Sequence, residues 1–171
     1  ADCVNTGDLG RQIRSVRVFV GTTTAFNSNT SIFQLKHFDL AIIDEASQIL
    51  EPHLMGLLSA TDDCGHIGID KFVLIGDHKQ LPAVVQQDAD ESRVSETELN
   101  EIYLTDCRLS LFERLLRQYR DDPAVTYMLT RQGRMHHDIA MFPNEFFYHS
   151  RLQEVPLAHQ NVVLPKSVAD S

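Results

Sequence analysis

Two apolar runs, each cut short by polar residues, constrain this chain more than any other feature. Phe38–Ile43 reads Phe-Asp-Leu-Ala-Ile-Ile and stops at Asp44-Glu45; Lys71–Ile75 reads Lys-Phe-Val-Leu-Ile and stops at Gly76-Asp77. Near-continuous apolar runs of this length suit strands buried on both faces, the setting of a parallel sheet covered by helices. Between them a helical pattern extends from about Gln48 to Ala60, with Leu50, Leu54, Leu57 and Leu58 near one face. A β-branched run, Ser15–Val20, stops at Gly21 and predicts an earlier strand. Strand alternating with helix predicts an α/β fold with right-handed crossovers.

Beyond Gln87 the pattern changes. Residues 88–101 carry six acids and one arginine, a net of -5 out of -9 for the whole chain, and predict a solvated linker or insertion. Helical order resumes at Ser110-Leu111-Phe112-Glu113, which has capping-box spacing and is followed by Leu115 and Leu116. Asp121-Asp122-Pro123 predicts a break, Val125–Leu129 a strand, and His136–Phe142 a helix ended by Pro143. A short apolar piece at Val162–Leu164 lies in the proline-containing C-terminal stretch. Arg114, Arg117 and Arg120 recur at near-helical spacing among acids, which predicts a solvated face.

Composition excludes several classes. With 43% hydrophobic and 23% charged residues the chain is globular, and 171 residues fit one domain or parts of two. No apolar run approaches the ~18–20 residues of a membrane-spanning helix. Ala1-Asp2-Cys3-Val4 lacks the basic start and apolar core of a signal peptide; with no initiator methionine, the expectation is a piece of a longer chain. Three cysteines without a C-x-x-C pair predict ordinary thiols and a reducing, cytoplasmic setting. The adjacent histidines His136 and His137 point to different helix faces, which argues against a metal site there. A sequence pI near 5.2 offers no overall basic field for nucleic acid.

The chemistry gathers at the strand ends. Ligands bind beyond the C-terminal edge of an open parallel sheet. An aspartate there can hold Mg²⁺, and a neighbouring glutamate can activate a water that attacks a phosphate. Taken alone, Asp44-Glu45 equally suits a strand that ends in solvent with two surface acids. Gly76-Asp77-His78-Lys79-Gln80-Leu81-Pro82 follows the next strand and is expected on the same edge, where Gln80 offers a neutral amide to a phosphate or water. A third polar set, Gln132-Gly133-Arg134-Met135, also follows an expected strand. An arginine there can stabilise charge on a transferring phosphoryl group, although a single surface arginine is common.

In order and spacing, Asp44-Glu45-Ala46-Ser47-Gln48, Gly76–Pro82 and Gln132-Gly133-Arg134-Met135-His136 resemble motifs II, III and IV of superfamily 1 helicases, most closely the branch of the nonsense-mediated-decay helicase. Ser110–Leu115 and Phe142–Tyr148 are similar to connecting segments of that branch, so the likeness runs from about Val16 to Leu152. It implies a P-loop NTPase fold: a RecA-like parallel sheet with flanking helices. The expected division is the later part of a first RecA-like domain at 1–87, an acidic linker or insertion at 88–109, and the start of a second domain at 110–171.

The roles implied are specific. Asp44 would hold Mg²⁺, Glu45 would activate the attacking water, and Gln80 would contact the γ-phosphate of ATP. Arg134 would reach that phosphate from the second domain, with Gln132 among the nucleotide-contacting residues. Thr22 and Thr23 would touch the backbone of single-stranded DNA or RNA without reading its sequence. Two departures stand out. The family usually has an aromatic residue, often tyrosine, where this chain has Gly133, a loss that would loosen Arg134. None of the eight glycines is followed by lysine, so the G-x-x-x-x-G-K-[ST] phosphate loop is absent, as are motifs V and VI. The expectation is therefore a segment of an ATP-dependent helicase or translocase, inactive by itself. The alternative is a nucleotide-dependent, nucleic-acid-binding switch that does not unwind.

Overall fold

The computed structural model describes residues 6–120 and 122–162. Ala1–Val4 with Cys3, Asp121 of the expected break, and Val163 and Leu164 of the C-terminal apolar piece lie outside the described residues. The chain forms two compact units, Ala1–Asp121 and Asp122–Ser171.

In the first unit three helices, α1 (Thr6–Ser15), α2 (Thr23–Ser28) and α3 (Ile32–Leu35), precede strand β1 (Ala41–Ile43). A 3₁₀ turn (Ala46–Gln48) and helix α4 (Pro52–Leu58) lead to strand β2 (Phe72–Leu74). The two strands pair in parallel, with Ala41 opposite Phe72, Ile42 opposite Val73 and Ile43 opposite Leu74. The core gathers Phe33, Ile43, Ala46, Leu54, Leu57, Ala60, Ile69 and Leu111, with Phe38, Phe72 and Leu74 packed against it. Strand residues alternate between faces, so Ile43 is buried while Ile42 is 63% exposed. The expected burial on both faces is thus found on one.

Three expected elements differ. Residues 16–20 form no strand: Val20 is 95% exposed, and no ladder forms along the run among the described residues, although Phe19 meets Phe38 edge-on at 5.3 Å. The helix expected from Gln48 is split, because Leu50 makes an isolated antiparallel bridge to Ser110. Pro52 then starts α4 at its first turn, where its missing N–H costs nothing. The acidic segment carries structure of its own. Helix α5 (Thr97–Glu101) forms there, Arg93 bridges Asp106, and buried Ser92 donates its hydroxyl to Asp88 O at 2.6 Å and accepts Cys107 N–H at 2.9 Å through its carbonyl.

Helix α6 (Leu111–Gln118) belongs to this unit through buried Leu111, and the division between units falls after residue 121. Its predicted N-cap is present: Ser110 Oγ accepts the Glu113 N–H at 3.1 Å. The solvated arginine face is corrected at Arg114. Arg114 is buried and forms a two-pronged pair with buried Glu51, at 2.7 Å from Nε and 2.6 Å from Nη2, and donates to Ile102 O at 3.1 Å. Arg117 fits the surface reading and pairs with Glu113 one turn away.

The second unit holds strand β3 (Arg131–Gln132), helix α7 (His137–Tyr148), strand β4 (Gln153–Glu154) and a 3₁₀ turn (Ala158–Asn161). β3 and β4 pair in parallel, Arg131 opposite Gln153 and Gln132 opposite Glu154. Val125–Leu129 forms no strand, and Tyr127 and Leu129 are exposed. Pro143 does not end α7. A proline inside a helix costs about 3 kcal/mol. Here the helix is braced on both sides of it: Phe142 and Phe146 stack with centroids 4.6 Å apart, and the Asn144 amide exchanges two hydrogen bonds with the Leu152 backbone. The molecule is mixed α/β with short parallel sheets.

Candidate functional site

The parallel pairing of β1 and β2 brings the two polar strand ends to one edge. Ile75 N–H donates to Ile43 O at 2.9 Å, and Ala46 N–H donates to Ile75 O at 2.7 Å, so the ladder continues past both strands. Between these bonds the chain must turn sharply. Glu45 does so in the left-handed region, at φ 51° and ψ 34°, a conformation that costs a non-glycine residue about 1–3 kcal/mol. Asp44 Oδ1 accepts the Glu45 N–H at 3.0 Å and steadies the turn. Both carboxylates remain exposed on a backbone fixed by the core residues Ile43 and Ala46.

The second strand end is locked to the first through Ser47. This buried serine accepts the Asp77 N–H on its Oγ at 3.1 Å. A Cβ at Gly76 would lie 2.8 Å from Ser47 N, so only glycine permits this approach. Asp77 then organises the loop: its carboxylate accepts the Lys79 N–H at 2.9 Å and the Gln80 Nε2–H at 3.0 Å. Gln80 is therefore held at the same edge as Asp44 and Glu45, while Gln48 donates to Glu45 Oε2 at 3.4 Å. Partial desolvation, reinforced by Lys79, pushes the His78 imidazole below its ordinary 6.5 and favours its neutral form.

In the second unit Arg134 stands exposed on a loop pinned by amides. Gln132 Oε1 accepts the N–H groups of Arg134 (3.1 Å) and Met135 (2.8 Å), and its Nε2 donates to Met135 O at 3.1 Å. The Gln132 side chain thus shapes the loop that carries Arg134. Gln160 is fully buried beneath it. Its Nε2 donates to Gln132 O and Met135 O at 3.1 and 3.2 Å, and its Oε1 accepts the Leu157 N–H at 3.2 Å. A His159 ring nitrogen lies 3.0 Å from Gly133 O. A Cβ at Gly133 would meet Leu157 Cδ1 at 3.3 Å, so a tyrosine there would need Leu157 to give way.

Sequence reading missed Ser47, Gln160 and the Glu51–Arg114 pair. Ser47 lies inside a recognised motif and was within reach. Gln160 and Glu51 sit among ordinary polar residues, and only tertiary packing distinguishes them. Thr22 and Thr23 lie at the start of α2, where the exposed Thr22 hydroxyl oxygen accepts the Ala25 N–H at 3.1 Å as an N-cap.

Residues 11–88 match a family model described as AAA domain, and residues 107–169 match a second with the same description, which implies a P-loop fold. The acidic segment falls between the two matches. The chain is 37% identical over 134 residues to the DNA replication ATP-dependent helicase/nuclease DNA2 of Xenopus laevis, covering 78% of this chain and 10% of that protein. It is 34% identical over 117 residues to an uncharacterized ATP-dependent helicase of Methanocaldococcus jannaschii (68% of this chain, 14% of that protein). It is 37% identical over 121 residues to the DNA polymerase alpha-associated DNA helicase A of Schizosaccharomyces pombe (70% and 14%). The chain is thus superfamily 1 helicase-like and related to ATP-dependent helicases, and it spans about a tenth of the length of the relatives it matches. No helix among the described residues is long and apolar enough to cross a membrane.

Proposed function

We propose that the chain is part of a RecA-like motor that hydrolyses ATP to move along or unwind DNA or RNA. One observation carries this reading: Asp44, Glu45 and Gln80 share one edge of a parallel strand pair, fixed by the Ser47–Asp77 bond and the close approach at Gly76.

The residues present suit Mg²⁺ and a nucleotide triphosphate. Asp44 supplies an exposed hard oxygen donor on a rigid strand end, which suits a cation that keeps much of its water shell. When bound, Mg²⁺ would neutralise developing charge on phosphate oxygens. Glu45 accepts the proton of the attacking water. Gln80, oriented by Asp77, reads the γ-phosphate. Arg134, oriented by Gln132 and Gln160, supplies positive charge to the transferring phosphoryl group. Thr22 and Thr23 contact the nucleic-acid backbone, and the setting is cytoplasmic. The net charge of -9 does not oppose this, because most of the excess acid lies in residues 88–101, outside the strand-end motifs of the sequence.

Gly133 in place of the family's aromatic favours a second reading, a nucleotide-dependent switch that binds nucleic acid without unwinding it. A strand-displacement assay on a full-length protein carrying this segment separates them. ATP-driven unwinding is expected. Nucleotide-dependent binding with no displacement would establish the switch. The 171 residues alone, lacking a phosphate loop, are expected to show no Mg²⁺-dependent ATP turnover.

A further inference from the structure

Residues 61–67 form a tight hairpin before β2, at the end of that strand opposite Gly76. Thr61 and Ile67 pair as an antiparallel bridge, Asp62 N–H donates to His66 O at 2.9 Å, and Gly65 turns the chain at φ +82°. Alternate positions of this loop carry three different donor types: the Asp62 carboxylate, the Cys64 thiol and the His66 imidazole. These donor atoms all lie within 4.8 Å of one another. Asp62 Oδ1 accepts the N–H groups of Cys64 (2.8 Å) and His66 (2.9 Å), so the loop backbone is built around this carboxylate. Its other oxygen, Oδ2, lies 2.9 Å from His66 Nδ1.

We propose that this hairpin is a binding site for a borderline-soft divalent transition metal of the Zn²⁺ class, held by Asp62, Cys64 and His66 with water completing the shell. Zinc takes oxygen and nitrogen at about 2.0–2.2 Å and sulfur at about 2.3 Å in a tetrahedral arrangement, which places donors roughly 3.3–3.6 Å apart. The carboxylate and imidazole already approach that spacing. The remaining gap closes by rotation of the Cys64 side chain, which is exposed beside Gly65 and free to turn. A thiolate with an imidazole selects zinc-like ions over Mg²⁺ or Ca²⁺. On binding, the Cys64 thiol gives its proton to solvent, and the proton between His66 Nδ1 and Asp62 Oδ2 leaves that contact for Nε2 or solvent, so that sulfur, nitrogen and carboxylate oxygen bond the metal; no oxidant or reductant takes part. Because the hairpin precedes β2, the ion would clip the loop that enters the strand and would take no part in chemistry at the Asp44 edge.

The test is a Co²⁺ titration of the reduced 171-residue chain, followed by Zn²⁺ competition. The expected result is one equivalent bound with a near-ultraviolet sulfur-to-cobalt charge-transfer band that Zn²⁺ removes. Cys64→Ser should abolish the band, Cys107→Ser should retain it, and His66→Asn should weaken binding at least about tenfold. Absence of a sulfur band, or affinity unchanged from the native chain in Cys64→Ser and His66→Asn, would overturn the assignment and leave Asp62–His66 as a plain hydrogen-bonded pair. Cys64 and His66 are exposed and Cys107 is half-buried, and an unchanged far-ultraviolet circular dichroism spectrum verifies the fold of each of the three variants.

Discussion

The two units position their polar residues by different physics. In the first, Asp44 and Glu45 stand on a strand end anchored by an apolar core of eight buried side chains. In the second, Ala140 is the one buried hydrophobic residue among the described residues, and the Arg134 loop is held by the amides of Gln132 and Gln160. Apolar packing spreads its stabilisation over many individually small contacts. A buried amide network fails sharply when one member leaves its partners unpaired. The first edge is therefore fixed mainly by its apolar core, and the second by a small set of side-chain amide hydrogen bonds.

The largest expected effect breaks the first unit at the buried Glu51–Arg114 charge pair. Glu51→Ala strands the Arg114 guanidinium in the interior and should cost about 3–5 kcal/mol in denaturant unfolding of that unit. A loss near zero would mean that water reaches the pair. Gln160→Ala should act on the second unit alone. It removes one of two hydrogen bonds at each of the Gln132 and Met135 carbonyls, which keep the Val155 N–H and the Gln132 Nε2–H; the cost should be about 0.5–1.5 kcal/mol for each bond lost, and hydrogen exchange should accelerate at the Arg134 and Met135 amides. The Ala46 and Ile75 amides of the first unit should keep their protection; acceleration there would erase the contrast.

The smallest effect is a pH dependence. Arg108 hydrogen bonds hold the Asp106 carboxyl below its ordinary 3.8. Its contribution to first-unit stability is full above 3.8 and disappears as pH falls through the lowered folded value. Asp106→Asn should flatten that part of the acid unfolding curve, and an unchanged curve would remove the pair from the account.

Much of the site was legible in sequence because strand ends announce themselves. Apolar runs closed by Asp44-Glu45 and Gly76-Asp77 specify both the strands and the edge, and Ser110 specifies a helix start. The failures have common causes. Ser15–Val20 and Val125–Leu129 have strand composition, but a strand also needs a neighbour, which a local pattern does not supply. Pro143 reads as a stop, yet ring stacking and the Asn144–Leu152 bonds carry α7 through it. Arg114 and Gln160 look like surface residues until distant partners bury them, Glu51 from 63 positions away and Gln132 from 28.

The central claim is that Glu45, fixed beside Asp44 at the sheet edge, activates the water that attacks ATP. The most direct measurement is ATP binding and hydrolysis by a full-length protein carrying this segment, with Glu45→Gln compared against the native residue. The account predicts that hydrolysis is abolished while ATP affinity is largely spared. Undiminished turnover in Glu45→Gln would contradict it.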